Sequence, residues 1–301
     1  MIHENWLWVA FTIAAALAQT FRNATQRELT GKLGTVGATH TRFLFGFPFA
    51  VIFLAAVTWV SGVKLPVPTL TYLPWLLMGT MAQIIATALM LAAMSERSFV
   101  VSIAYIKTEP VQVAVFGLVF LGDALTLPLT LAILIATAGV ILMSVKPGQI
   151  ATAGGNRPAM LGIAAGAMFA LSAVGFRGAV LALDTPSFVT AATLTLALGL
   201  ALQAVVLSLY LAVRDRTVLV NILRNWQPSL AAGFLGALAS QFWFLAFAVA
   251  TAASVRTLAL VEVLFAQAIA TFAFRQKTTP REALGIVLVV AGVALLLWAS
   301  R

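Results

Sequence analysis

The sequence predicts an all-α integral membrane protein of ten transmembrane helices, built as two inverted five-helix repeats. Three observations predict it. Of 301 residues, 62% are hydrophobic and only 9% charged, with a mean hydropathy of +1.04. Soluble domains run at about 45–50% apolar and about 25% charged. Basic residues gather in alternate loops, and landmark residues recur at a shift of 153 positions.

The composition excludes several classes. There are no cysteines, hence no disulfide framework or thiolate chemistry. His3 and His40 stand too far apart for a histidine metal cage, so no metal and no cofactor is expected. A net charge of +9 and a pI of about 10.9 suggest nucleic acid at first sight. The charges sit in loops, however, and no basic stripe is interleaved with exposed aromatics, so no nucleic-acid partner is expected.

A bilayer core of about 30 Å takes roughly 20 apolar helical residues. Only helices and closed barrels satisfy the backbone there, and these apolar stretches lack the period-2 alternation of barrel strands. The first helix reads as 5–26. Met1-Ile2-His3-Glu4-Asn5 carries no basic n-region, so this stretch is expected to be a retained span and not a cleaved signal. The second, 36–60, stops at Ser61-Gly62-Val63-Lys64 with Pro66 and Pro68. The third and fourth, 72–94 and 98–121, flank Arg97, and Gly122-Asp123 separates the fourth from the fifth, 126–145. Lys146-Pro147-Gly148 ends the first half. The sixth, 159–182, stops at Asp184-Thr185-Pro186, and the seventh, 186–212, at Arg214-Asp215-Arg216. The eighth and ninth, 228–250 and 253–274, meet at the uncharged Val249-Ala250-Thr251-Ala252-Ala253-Ser254, the weakest break, so nine or eleven spans are the alternatives. The tenth is 281–299.

Odd-numbered loops hold eleven basic residues: Arg27, Lys32, Arg97, Lys146, Arg157, Arg214, Arg216, Arg224, Arg275, Lys277 and Arg281. Even loops and the C-terminus hold two, Lys64 and Arg301. The positive-inside rule then puts both termini outside the cytoplasm. The shift of 153 superposes Gly46 on Gly199, Glu109 on Glu262, Thr126 on Thr279 and Gly139-Val140 on Gly292-Val293. The halves are therefore 1–150 and 151–301, five spans each. An odd number of spans turns the second half upside down, a frequent plan of secondary transporters with a midplane site between the halves.

The segment Tyr105-Ile106-Lys107-Thr108-Glu109-Pro110, followed by Gly122-Asp123-Ala124-Leu125-Thr126 and Ala138-Gly139-Val140, resembles the end of an EamA-type repeat of the drug/metabolite transporter superfamily. The resemblance covers essentially the whole chain. The second copy departs from the pattern: Val263 replaces the Pro, and Arg275-Gln276-Lys277-Thr278-Thr279 replaces the Gly-Asp/Glu-x-Leu-Thr run. Its aromatic- and Met-rich character is similar to the YddG-like amino acid exporters. The resemblance implies transport in the plasma (inner) membrane, and it alone supplies the direction, export.

Ionisable residues at membrane depth raise functional hypotheses by default. Here they are Arg42, Lys107, Glu109, Arg177, Arg256 and Glu262. Ser102, Tyr105, Glu109 and Gln112 recur at helical spacing as one polar stripe. Glu109 either binds a substrate ammonium or carries a coupling proton, or it stabilises the helix break at Pro110 or pairs with a basic residue. Glu262 lies on an apolar face, which favours an interhelical pair with Lys107 or an Arg. Arg22 and Arg177 occupy matching motifs, Phe21-Arg22-Asn23-Ala24 and Phe176-Arg177-Gly178-Ala179. They either snorkel to headgroups or serve as gates, and Arg256 is read the same way. Thr12, Gln19, Asn23 and Gln26 share a face of the first helix; Thr80, Gln83, Thr87, Met90 and Met94 share one of the third. Gln241 lies beside Trp243 and Phe244. Amides facing lipid would be unsatisfied, so these faces line either packed helices or a cavity. The expected substrate site is Gln19, Gln83, Met90, Tyr105, Glu109, Gln241 and Trp243, with Arg22 and Arg177 gating.

No Walker motif or soluble domain is present, so transport is expected to be secondary, without an ATPase subunit. The expected function is export of small amphipathic metabolites, amino acids with apolar or aromatic side chains, from a central cavity by alternating access. The alternatives are efflux of lipophilic cationic drugs with Glu109 as the cation partner and, from another class, a membrane-embedded lipid-modifying enzyme. The enzyme would need a juxtamembrane Asp, His or Ser cluster, and none is evident, so no catalytic residue is expected.

Overall fold

The computed structural model describes residues 6–95, 105–144, 157–272 and 278–300. Ser102 and the rest of 98–104, and His3, Arg97, Lys146, Arg275, Lys277 and Arg301, lie outside the described residues, as do the side chains of Asn23, Gln26, Arg27 and Met94. Among the described residues every regular element is a helix. In chain order these are α1 Leu7–Ser61, α2 Tyr72–Ser95, α3 Glu109–Leu121, α4 Leu127–Ser144, α5 Arg157–Leu181, α6 Phe188–Arg214, α7 Arg216–Arg224, α8 Trp226–Val249, α9 Ala252–Leu258, α10 Glu262–Phe272 and α11 Pro280–Ala299. Seven are long and apolar enough to cross a membrane: Leu29–Ser61, Tyr72–Ala93, Leu127–Ser144, Ala159–Leu181, Phe188–Arg214, Trp226–Val249 and Pro280–Ala299.

Several expectations from sequence are corrected. The break expected between 26 and 36 shrinks to a single residue, Gly34, at φ 70° and ψ 176°. Only glycine takes that conformation without strain, and the polar residues around it continue the helix. The ninth helix is divided: α9 ends at Leu258, Ala259–Val261 tightens into a 3₁₀ turn, and α10 starts at Glu262. The fourth is divided too, at a turn over Lys107–Thr108, so Glu109 opens a helix and is not at its middle. The uncharged break before Thr251 is real, because the Thr251 hydroxyl caps α9 by accepting from Ser254 N–H (3.2 Å). α7, between two long helices, had no counterpart in the sequence reading.

The chain forms two compact units, and neither is a contiguous half. One comprises Met1–Val9, Ile85–Val174 and Thr251–Arg301; the other comprises Ala10–Ile84 and Gly175–Ala250.

In the first unit the landmarks of the repeat acquire physical reasons. Glu109 and Glu262 each open a helix, α3 and α10. Thr126 and Thr279 each accept from the backbone N–H three residues on, Leu129 and Glu282, both at 3.3 Å. Glu282 returns the bond to Thr279 N–H (2.7 Å), completing a capping box. Gly122 ends α3 with φ 68°, and its N–H reaches Gly117 O, which is why Gly precedes Asp123 in the motif. Gly139 and Gly292 let α4 and α11 touch backbone to backbone. A Cβ on Gly139 would lie 2.7 Å from Gly285 O and 2.8 Å from Val289 N. A Cβ on Gly292 would lie 2.9 Å from Ala132 O and 2.6 Å from Ala136 N. Residues 132, 136 and 139 are the repeat mates of 285, 289 and 292, so the contact maps onto itself when mates are exchanged. Along the seam one helix number rises as the other falls, so the two helices are antiparallel. Ala136, Val140, Leu260 and Val289 form the buried cluster beside it. Such small-residue contacts are the main source of helix association in lipid, where no hydrophobic drive separates helix from solvent.

In the second unit α6 packs on α8, and α7 closes over the kinked helix. Val218, Leu219 and Ile222 of α7 pack with Leu29, Leu33, Leu211 and Ala232. A Cβ on Gly37 would come within 3.0 Å of Val218 Cγ1, three residues after the kink.

Candidate functional site

The charged group of the first unit grows out of its two helix breaks. Thr108 closes the turn after Tyr105 by donating both N–H (3.2 Å) and Oγ1 (2.7 Å) to Tyr105 O. Pro110 fits the first turn of α3, where its missing N–H leaves no bond unmade. The turn thereby offers Lys107 and Glu109 two residues apart. Across from them, α9 offers Arg256 and α10 offers Glu262. Arg256 donates to Glu109 Oε1 from Nε (2.5 Å) and Nη2 (2.5 Å). Lys107 pairs with Glu262. The four residues thus form two ion pairs between the turn and the facing segments.

This arrangement settles the partners left open by the sequence. Glu262 takes Lys107, one of the partners offered. Arg256, read as a snorkelling or gating residue, instead points at Glu109. The two carboxylates at the starts of α3 and α10 also sit at the positive ends of their helix dipoles. Tyr105 is half-buried beside the turn. Gln112, on the same stripe, donates from Nε2 to Thr108 Oγ1 (3.3 Å) and Ile163 O (3.5 Å). Met90 is half-buried in α2.

The amide-rich group belongs to the second unit. Trp243 Nε1 donates to Gln19 Oε1 (3.1 Å). Gln241 Nε2 donates to Thr193 Oγ1 (2.8 Å). Gln203 Nε2 donates to Gln83 Oε1 (2.8 Å) and to Thr80 O (3.3 Å). Every amide expected at the site therefore has a side-chain partner on another helix. Trp243 stacks on Phe247 with centroids 6.3 Å apart, and Phe244 meets Phe176 at 4.5 Å. Gln203 and Thr193 were missed in the sequence. The signal for Gln203 was there: a lone amide inside an Ala/Leu-rich span obeys the same rule as the others.

Arg177 and Arg42 donate to groups within the second unit. Arg177 Nη1 donates to Phe247 O (2.8 Å) and to Ala250 O, the free carbonyls where α8 ends. Arg22 is buried, and so is Arg42. Both run past Gly236, where an added Cβ would lie 3.7 Å from Arg22 Cδ and 3.0 Å from Arg42 Cγ. Arg42 Nη2 also reaches Ser240 Oγ (3.5 Å). His40, fully buried, shares a bond with Ser208 (3.0 Å). Among the described residues no three His, Cys, Asp or Glu side chains gather as a metal site would require.

Comparison with known proteins gives the same outline. No curated protein sequence matches the chain. A solved crystal structure of a protein aligns with a TM-score of 0.68 over 97% of both chains at 13% identity, which shows a shared fold. The model of the EamA-like transporter family matches twice, over residues 6–145 and 156–298. The chain is thus a tandem duplication from end to end, a membrane protein that belongs to the EamA-like transporter family.

Proposed function

We propose that the protein is a secondary transporter that exports small amphipathic metabolites, amino acids with apolar or aromatic side chains, from the cell through the plasma (inner) membrane. Membership of the family makes it a membrane transporter of small molecules. The seven full-length helices, the shorter Leu7–Arg22 and the divided fourth and ninth helices support a count of ten spans. The repeats are 1–150 and 151–301, inverted, with both termini outside the cytoplasm, and alternating access is the exchange of their conformations. The antiparallel, self-mapping seam of α4 and α11 supports the inversion, because two helices related by a half-turn about an axis across them must run in opposite directions.

One observation carries the substrate class. Amides stand beside aromatic rings in the bond of Gln19 to Trp243 (3.1 Å). Hydrogen-bonding groups beside a flat apolar surface suit a solute with a polar head and an apolar body. The proposed binding residues are Gln19, Gln83, Met90, Tyr105, Gln241 and Trp243, with Glu109 belonging to the site as the bonded partner of Arg256 and Arg22 and Arg177 as gates. Efflux of lipophilic cations is the weaker reading. A cation would have to displace a guanidinium already bonded to Glu109 through two donors.

Counterflow into proteoliposomes decides between them, with a panel of apolar and aromatic amino acids, cationic dyes and sugar phosphates. Amino acids should exchange and the others should not. Accumulation of dyes alone would replace this reading by cation efflux.

A further inference from the structure

The four charges at the two helix breaks do not form a symmetrical set. Lys107 and Glu109 are two residues apart on one turn. Together they present an ammonium and a carboxylate. Arg256 and Glu262 receive them from the facing segments, the guanidinium taking the carboxylate and the carboxylate taking the ammonium. An amino acid carries that same pair of groups. We propose that Arg256 and Glu262 are the receptor for a zwitterionic substrate, Arg256 for its carboxylate and Glu262 for its ammonium, and that Lys107 and Glu109 fill this receptor when no substrate is bound.

Three observations support this division. The guanidinium is the side chain suited to a carboxylate, since its planar fork offers two parallel donors, and Arg256 already uses two, Nε and Nη2, on Glu109. Both receiving groups lie on a segment that the 3₁₀ turn Ala259–Val261 divides, and such discontinuous helices are where transporters bind charged substrate groups near the midplane. All four side chains are largely shielded, with 12–22% of their surface exposed. A lone charge there would be strongly disfavoured, so the empty receptor needs stand-ins of its own. A zwitterion exchanges for them without changing the net charge of the group. A plain cation or anion would leave one stand-in displaced and a charge uncompensated.

The inference rests on amino acids being the substrates and adds which charges hold them. Two double variants test it, each removing both ion pairs and each conserving net charge. Lys107→Met/Glu109→Gln removes the stand-ins; Arg256→Gln/Glu262→Gln removes the receptor. Binding of phenylalanine to purified protein is measured by calorimetry, with folding checked by thermal unfolding in detergent. Loss of the competitor should tighten binding about tenfold or more, as for any protein freed from an occupied state. Loss of the receptor should weaken it by at least about tenfold. If the pairs are only a tie between helices, the two variants behave alike, and that result overturns the inference. A measurement on the unaltered protein runs beside it: N-acetylphenylalanine and phenylalanine amide, each lacking one charge, should compete at least about tenfold less well than phenylalanine. Equal competition by the blocked compounds also overturns the inference while leaving amino acid transport standing. No binding or exchange of any amino acid by the unaltered protein sinks both.

Discussion

Arg177 holds the end of α8 by donating to main-chain oxygens of Phe247 and Ala250. Arg177→Met leaves those carbonyls without a donor, and a lost charged hydrogen bond to a shielded group amounts to about 1–3 kcal/mol. Thermal unfolding in detergent should show a lower midpoint; an unchanged one would mean that lipid or water replaces the guanidinium. The Glu109–Arg256 pair behaves differently because two charges are involved. Arg256→Met alone strands a carboxylate and should destabilise by about 3–5 kcal/mol, whereas adding Glu109→Gln should recover most of that. A double-mutant cycle on unfolding midpoints measures the recovery. Tyr105→Phe, which removes a hydroxyl and little else, should change substrate affinity severalfold in a counterflow assay if the ring belongs to the site, with stability within about 0.5 kcal/mol. Single residues were unevenly legible. That Glu262 needs a base followed from its apolar surroundings, and Lys107 was a visible choice. Arg256 and Glu109 are 147 residues apart, and only the register of two broken helices brings them together, which no local pattern contains.

Elements were read best where apolar length alone defines them and worst where polar residues continue a helix. The run around Arg27 and Lys32 looked like a loop of several residues. It is helix on both sides of Gly34, because Arg, Lys and Glu are good helix formers and nothing but that glycine breaks the path. Gly34→Ala forces a side chain into a left-handed conformation and should lower stability by about 1–2 kcal/mol. Space is not the reason, since nothing lies within 4 Å of the added Cβ. α7 was hidden for the opposite reason. The charges of Arg214-Asp215-Arg216 mark a turn, and nine residues fall short of any span, yet Val218, Leu219 and Ile222 fall on one helical face. Its cap is pH-sensitive in a direction that can be stated. Asp215 accepts from Thr217 N–H (3.0 Å) and Thr217 Oγ1 (2.5 Å), and these bonds hold its carboxyl below the usual carboxylate range. A carboxyl with a lowered folded pKa stabilises fully above its ordinary value of 3.8 and ceases to as pH falls through the lowered one. Amide exchange in α7 should therefore be best protected near neutrality and lose protection in acid, while Asp215→Ala should show weakened protection at every pH.

For the molecule as a whole, the charge asymmetry between loops predicts that a reporter fused after Arg301, fluorescent only in the cytoplasm, stays dark. A bright signal would reverse the proposed orientation. The duplication was legible because its landmarks are positions where backbone geometry leaves few choices: helix starts at Glu109 and Glu262, caps at Thr126 and Thr279, close approach at Gly139 and Gly292. The division into two compact units was not legible, since each unit draws on both halves of the chain. Gly292→Val would press a branched side chain onto Ala136 N and Ala132 O. About 1–3 kcal/mol of destabilisation is expected from such overpacking, seen as a lower unfolding midpoint. The self-mapping seam also has a genetic consequence. A larger residue at Gly139 meets main-chain atoms of Gly285 and Val289, and one at Gly292 meets main-chain atoms of Ala132 and Ala136, so a suppressor has to shift the facing helix and has a transposed counterpart in the other repeat. The two collections of suppressors, gathered independently, should coincide once one is renumbered by 153.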